Sequence, residues 1–463
     1  MKNLGVVITD GVGFRNFILT DFIKEAKNNF DKVIIFSCLP KFVYDEFNLD
    51  CEIIELEVFT ENFLTWFLRK SKELAHLQFH RRNNFGIQDG FTTNNSKANT
   101  SRGYATRFII KFTSVFNSEK WILRYNYLQQ KSFKNNKITV DYSKILIENG
   151  ISLLFFTHQR PPFIAPLLFS AEQLKIKTAA FIFSWDNLAS KGRMAGNFNY
   201  YLVWSELMRK ELLEFYTSVE NKNIEVVGTP QFEPFVLEKF GYDKEQLISK
   251  FNLDNSKPII LFTCNDSSSK NDPLYLGVLA QFIIDKKLSK EVNLVVRTSP
   301  AEEPERFKSI MEKYPFIKWN FPDWSVKREK HQENWTQRVP SKSDLDDLKS
   351  LVEHCDLNIN VLSTITLDSF IFNKPVVNPV FGNDDNGMFN DQKFLKYEHL
   401  SKLVDSNASW IVKNEEEYLM AINKILLNKD DKENARVQFK QLQIGKPLNG
   451  TSKRIAETLL KCI

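Results

Sequence analysis

Short apolar runs recur along the chain with helical stretches between them, and this alternation predicts a parallel α/β architecture. In the first half, LGVVIT (4–9), KVIIFS (32–37), SLLFFT (152–157), TAAFIF (178–183), YYLVW (200–204) and IEVVG (224–228) read as strands. In the second half, PIILFT (258–263), NLVVR (293–297), LNINVL (357–362), PVVNPVF (375–381) and SWIV (409–412) do the same. The run LNINVL lacks period-two alternation and suits a strand covered on both faces. At the end of the chain, Ile455, Leu459 and Ile463 stand four residues apart and predict a closing amphipathic helix.

Two stretches break the pattern. Residues 83–101, NNFGIQDGFTTNNSKANTS, are polar and rich in Gly and Asn, which predicts an exposed loop. Residues 102–137 then carry eight Lys/Arg against the single acid Glu119, with Tyr104, Phe108, Phe112 and Phe116 at every fourth position. A basic helix striped with aromatics can rest on an anionic lipid surface. The reading favoured by the sequence is plainer: the stripe packs on its own domain.

At 463 residues the chain exceeds one ordinary core, and roughly 150 residues per domain suggests two or three lobes. The pattern divides it into 1–240, with the polar loop and basic-aromatic insertion at about 70–140, and 250–445, followed by the closing segment 446–463. The join falls in the charged stretch 235–257.

Composition is that of a globular protein, 43% hydrophobic and 26% charged. The net charge of +5 is too small to imply nucleic-acid binding. Five cysteines without CxxC spacing indicate neither a disulfide framework nor a zinc site. No signal-peptide pattern and no run of 18 apolar residues is present, so a cytoplasmic location is expected, peripheral on the membrane if the basic stripe binds lipid.

Candidate chemistry gathers where strands end. Asp10, His158 and Asp186 each follow a strand in the first half, and each is a candidate base, His158 first because its unperturbed pKa suits proton transfer. Gly11 and Gly13 give a turn that a diphosphate can approach closely, but with Asn16 they do not complete GxGxxG, which argues against NAD. In the second half, Ser363 and Thr364 fall between a strand and a helix. They read equally as a phosphate-binding turn and as a plain N-cap. Asp368 lies one turn deeper on the same face, where a carboxylate can accept from ribose hydroxyls. Asp344 and Asp346 formally match DxD, but Ser343 reads as the cap of a helix whose first turn holds them, so no metal is expected.

The segments PIILFT, RTSP and DLDDLKSLVEHCDLNINVLSTITLDSFIFNKPVVNPVF resemble the donor-binding domain of GT-B glycosyltransferases, in the UDP-glycosyltransferase/glycogen phosphorylase-like superfamily. YLVWSELMRKEL with IEVVGTPQFEPF is similar to the end of the acceptor-side domain there. The resemblance implies two Rossmann-like parallel-sheet domains facing a cleft, with the C-terminal helix crossing back. It also implies that Ser363 and Thr364 contact the donor diphosphate, Asp368 the ribose, and Arg297 the phosphates as a cation. Asp384 and Asp385 in FGNDDNG are candidates for the sugar hydroxyls, or part of a polar turn. Trp185, Asp186 and Asn187 with Lys191 resemble a loop of bacterial surface-polysaccharide transferases and are assigned to the acceptor side, or to a loop fixed by a packed Trp185. Ser299-Pro300 stands where glycerophosphotransferases of this fold carry His-Pro.

The implied activity is metal-independent, inverting transfer of a sugar from a nucleotide-diphosphate sugar to a glycan or lipid-linked acceptor, without a cofactor. A nucleotide-sugar epimerase, a glycerophosphotransferase and a noncatalytic glycan-binding protein are the alternatives.

Overall fold

The computed structural model describes residues 1–95, 98–266, 269–382 and 391–463. Its contacts divide the chain into two compact units. One holds Met1–Glu233, Val326–Val339 and Gln443–Ile463, the other Pro234–Ser325 and Pro340–Leu442.

The first unit is built on seven strands: β1 (Asn3–Ile8), β2 (Lys32–Ser37), β3 (Glu52–Glu55), β4 (Leu153–Phe156), β5 (Lys177–Phe181), β6 (Tyr200–Val203) and β7 (Ile224–Val226). Their order is β3-β2-β1-β4-β5-β6-β7, with every neighbour parallel. Every residue of β1 and of β4 is buried, as expected of strands covered on both faces. The abundant phenylalanines fill the layer between sheet and helices. Phe17, closing α1 (Gly11–Phe17), meets Phe155 and Phe181 of the sheet edge-on at 5.4 and 5.6 Å, and Phe22 of α2 (Phe22–Asn29) at 5.1 Å.

In the second unit, β8 (Ile259–Thr263), β9 (Asn293–Arg297) and β10 (Lys318–Asn320) form one half of a sheet. After a two-stranded ribbon of β11 (Trp324–Val326) and β12 (Arg338–Pro340), the strands β13 (Leu357–Ile359), β14 (Val376–Pro379) and β15 (Trp410–Val412) form the other half. The order is β10-β9-β8-β13-β14-β15, again parallel throughout. Each sheet is therefore doubly wound, and its strand order reverses once, at β1/β4 in one unit and at β8/β13 in the other. Such switch points leave a crevice at the carboxyl ends of the two strands.

The closing helix Thr451–Leu460 belongs to the first unit. It buries Ile455 and Leu459 and packs on α2, and its Ser452 N–H donates to Glu233 at 2.9 Å.

Two expectations fail. Within 83–101, residues Phe85–Thr93 form a helix, α4, which follows α3 (Phe63–His80). The Asn84 side chain caps it by accepting from the Ile87 N–H, so an asparagine that reads as a loop residue is a helix start. The aromatic stripe of α5 (Ser101–Thr113) does not pack inward. Tyr104, Phe108 and Phe112 are exposed; of the four rings only Phe116, past the helix end, packs on the core, together with Trp121 and Tyr125 of α6 (Glu119–Lys131).

Candidate functional site

In the first unit the switch point brings two sequence candidates together. Asp10 follows β1 and His158 follows the adjacent β4, and His158 Nδ1 lies 2.8 Å from Asp10 Oδ2. Asp10 is also the N-cap of α1: its Oδ1 accepts from the Gly13 N–H at 2.8 Å, and its Oδ2 accepts from the Thr9 hydroxyl at 2.7 Å. Three donors thus fix the carboxylate. Burial alone would raise its pKa, but His158, the Gly13 N–H and the Thr9 hydroxyl outweigh it and the pKa falls. His158 moves down as well, because burial outweighs the attraction of Asp10. The two directions describe one state, a carboxylate beside a neutral imidazole. In that state Nδ1 carries the proton toward Asp10, and Nε2 presents a lone pair.

Nε2 of His158 is buried and has no hydrogen-bond partner. The Phe183 ring stacks on the imidazole at 3.8 Å and 11°, and Trp335 stands edge-on at 6.2 Å. A buried acceptor without a donor costs roughly 1–3 kcal/mol unless water or a ligand supplies the proton.

The other candidates of this unit are placed differently. The space above Gly11 is filled by the protein: a Cβ there would stand 1.6 Å from the Arg338 carbonyl oxygen. At Gly13 it would stand 2.7 Å from Thr157 Oγ1. Both glycines thus admit neighbouring protein atoms, which corrects the expectation that they open room for a diphosphate. Trp185 and Asn187 are buried. The Asn187 amide oxygen accepts from Gln159, and its nitrogen donates to Asp186 at 3.2 Å, so it ties the loop after β5 to the loop after β4. That is the role of a fixed loop rather than an acceptor surface. Lys191 is exposed and stands 3.4 Å from Asp186, whose carboxylate is close enough to His158 to raise its pKa slightly but makes no hydrogen bond to it.

At the β8/β13 switch point of the second unit, a knot of asparagines carries the turn. Asn358, Asn360 and Asn378 are all buried. The Asn360 side-chain oxygen accepts from the Ser363 N–H at 2.9 Å, the Thr366 hydroxyl at 3.0 Å and the Asn378 amide at 3.2 Å. This holds Leu362 at φ +46°, a left-handed conformation that a branched side chain rarely adopts. Ser363 and Thr364 are partly exposed at the mouth of the turn; Asp368, on the helix Ile365–Ile371, is buried. Thr364 occupies the cap position but its side chain makes no cap bond.

Arg297 is not available to a phosphate. It is buried, and Asp344 takes one end of its guanidinium through both carboxylate oxygens at 2.8 and 2.9 Å, while Asn320 takes the other. Asp344 sits in the first turn of the helix Lys342–His354, whose cap is Ser341, not Ser343. Among the described residues no group of three or more His, Cys, Asp or Glu side chains could hold a metal ion.

Asp384 and Asp385 lie outside the described residues. Just beyond them is an acid that the sequence reading missed. Asp391 is buried, its Oδ2 accepts from Asn271 at 2.9 Å and from the Tyr275 hydroxyl at 2.8 Å, and its Oδ1 has no partner. Burial raises its pKa against those two bonds. No periodic signal marks this residue. The asparagines were detectable, since Asn358, Asn360 and Asn378 interrupt apolar strands where a polar side chain needs a reason.

No family model and no curated protein matches the chain. Solved structures do. A putative UDP-N-acetylglucosamine 2-epimerase from Listeria monocytogenes aligns with TM-score 0.55 and 9% identity over 98% of this chain and 95% of that one. A glycosyltransferase from Rickettsia africae aligns with TM-score 0.53 and 12% identity over 100% and 98%. The UDP-GlcNAc 2-epimerase of Neisseria meningitidis bound to UDP-GlcNAc aligns with TM-score 0.51 and 12% identity over the whole of both chains. The likeness shows the fold: two Rossmann-like parallel-sheet domains of GT-B type.

Proposed function

We propose that this protein is a nucleotide-sugar enzyme that transfers a sugar from a nucleotide diphosphate to a hydroxyl of a glycan or lipid-linked glycan precursor. The observation that carries the reading is the unpartnered Nε2 of His158, held in its base tautomer by Asp10. In this reading Nε2 takes the proton of the acceptor hydroxyl while that oxygen attacks the anomeric carbon. The bond from the anomeric carbon to the diphosphate breaks, the nucleoside diphosphate departs with the electron pair, and the configuration inverts. Asp10 orients and stabilises the imidazolium, as the carboxylate of a catalytic triad does.

Ser363, Thr364 and the backbone of the Asn360 turn are assigned to the donor diphosphate, and Asp391 to a donor hydroxyl through its open oxygen. Asp368, buried on the following helix, supports that turn or reaches the ribose from within. No metal is assigned a role. Surface-polysaccharide synthesis is the setting the sequence resemblance suggests.

A nucleotide-sugar epimerase is the second reading, because most of the fold neighbours cited bear that name. The deciding experiment incubates the protein, in EDTA, with UDP-, GDP-, CDP- and dTDP-sugars, with and without a glycan acceptor mixture. Nucleoside diphosphate released only with acceptor supports transfer. An isomerised nucleotide-sugar formed without acceptor supports epimerisation. A thermal-shift series with the bare nucleotides runs alongside: a ligand at 100 times its Kd stabilises by about 2.7 kcal/mol, so absence of any shift removes both readings.

A further inference from the structure

Helix α5 is built inside out. The residues it buries are Gly103, Thr106, Ile109 and Thr113, three of them small or polar, whereas Tyr104 and Phe108 are 60% exposed and Val115, just past its end, is 73% exposed. Part of its contact with α3 is polar: Gln78 donates to the Thr113 hydroxyl at 2.6 Å and to the Ile110 carbonyl at 2.9 Å. Thr106 and Thr113 satisfy their hydroxyls on carbonyls one turn back, so the inward face closes without its aromatics. A helix buries its apolar stripe when folding is its only use.

The outward face is continuous. Phe67 of α3 lies 6.3 Å from Phe108, which stacks on Phe112 at 6.1 Å and 9°; Phe63 and Leu64, at the start of α3, are exposed beside this row. Cations border it. The Arg107 guanidinium lies 4.5 Å over the Tyr104 ring, Lys111 stands exposed one turn from Phe108, and Arg124 and Lys131 of α6 sit over Trp121 and Tyr127. The one acid of the segment, Glu119, is bound by Arg193. A row of exposed rings with a positive border and no carboxylate within it matches an interface of acyl chains beneath anionic headgroups, the rings entering and the cations staying level with the phosphates. No helix among the described residues is long and apolar enough to cross a membrane.

We infer that the α3/α5 face of the first unit is a peripheral docking surface for an anionic lipid bilayer, with Phe108 and Val115 as its inserting residues. This goes beyond the sugar-transfer reading and does not depend on it, since binding requires neither donor nor turnover.

The test is flotation of the full chain with phosphatidylcholine vesicles, with and without phosphatidylglycerol, at low and high salt. Wild type is expected to float with the anionic vesicles and to be largely released by salt. Two variants separate the terms: Phe108→Ser/Val115→Ser removes insertion, and Arg107→Gln/Lys111→Gln removes charge. Each is expected to lower the bound fraction about tenfold with an unchanged melting temperature, since all four side chains are wholly or partly exposed. Wild type that stays down with both vesicle types overturns the inference, as do two variants that float like wild type. So does a wild-type dimer in size-exclusion chromatography that Phe108→Ser/Val115→Ser makes monomeric, because the face is then covered by a second copy.

Discussion

Asp10 and His158 act as one unit, and their roles separate by pH. The reactive imidazole is neutral, and burial sets its pKa below the ordinary 6.5. Activity is therefore expected to hold at pH 6.5 and to fall only on further acidification. His158→Gln is expected to lower kcat by about a hundredfold or more, the usual worth of a general base. Asp10→Ala should also lower kcat, because the tautomer is no longer fixed. It should move the acid limb of the profile to still lower pH, since Asp10 is what raises the His158 pKa against burial. A merely structural Asp10 would lower the melting temperature and leave the limb in place. The sequence named both residues but as rivals, because 148 positions separate them and only the pairing of β1 with β4 makes them neighbours. Arg297 shows the opposite error. A cation at a strand end is visible in a sequence, but the Asp344 that neutralises it arrives from a helix start 47 positions away.

At the scale of elements, the strands were legible because they are short apolar runs bounded by polar turns, and all eleven of those read from the sequence lie where the apolar runs do. What escaped was set by single side chains. β3, with its ends exposed, and the three-residue β10, β11 and β12 hold too few apolar residues to register, and α4 depends on one capping asparagine. The turn after β13 was recognised by its Ser and Thr, but its form comes from Asn360, which no helix or strand propensity singles out. Asn360→Ala would leave the Ser363 N–H, the Thr366 hydroxyl and an Asn378 proton without their acceptor. At roughly 1–3 kcal/mol for a stranded buried donor, urea unfolding is expected to show a loss of that order, and the nucleotide-induced thermal shift should shrink with it. An unchanged midpoint would mean that water replaces the amide. Asn360→Asp keeps the acceptor but buries a charge, so it should be no better than alanine near neutral pH and should recover on acidification, when the carboxyl is protonated.

For the molecule as a whole, the sequence showed two parallel sheets and, through the family resemblance, a C-terminal helix that crosses back, which Gln443–Ile463 does; it did not show that Val326–Val339 also returns to the first unit. The C-terminal return rests on the buried Ile455 and Leu459 and on contacts such as Ser452 with Glu233 and Arg454 with the Val227 carbonyl. The stability of that unit also depends on a charge that composition cannot locate. Lys72, on α3, is buried, and its Nζ donates to Asn126 of α6 at 3.0 Å and to the Ala195 carbonyl at 2.7 Å, joining three segments. Burial lowers its pKa to about 7; Glu73 opposes this, while Arg193 and Arg69 add to it. A neutral amine still has the two protons that these two acceptors need, so deprotonation leaves the bonds intact. Between about pH 7 and the ordinary value of 10.5, the unfolded chain holds the proton that the native chain has lost. Unfolding then takes up a proton and stability rises with pH, by at most ~1.4 kcal/mol per unit, whereas below pH 7 both states are charged and this contribution is flat. Lys72→Met removes the titration and, with it, two hydrogen bonds. Chemical unfolding of both proteins from pH 6 to 9 is expected to give a difference that is constant up to about pH 7 and then grows in favour of wild type. Parallel curves through pH 9 would show that Lys72 stays charged when buried, held by Glu73, and that the unit tolerates a paired cation in its interior.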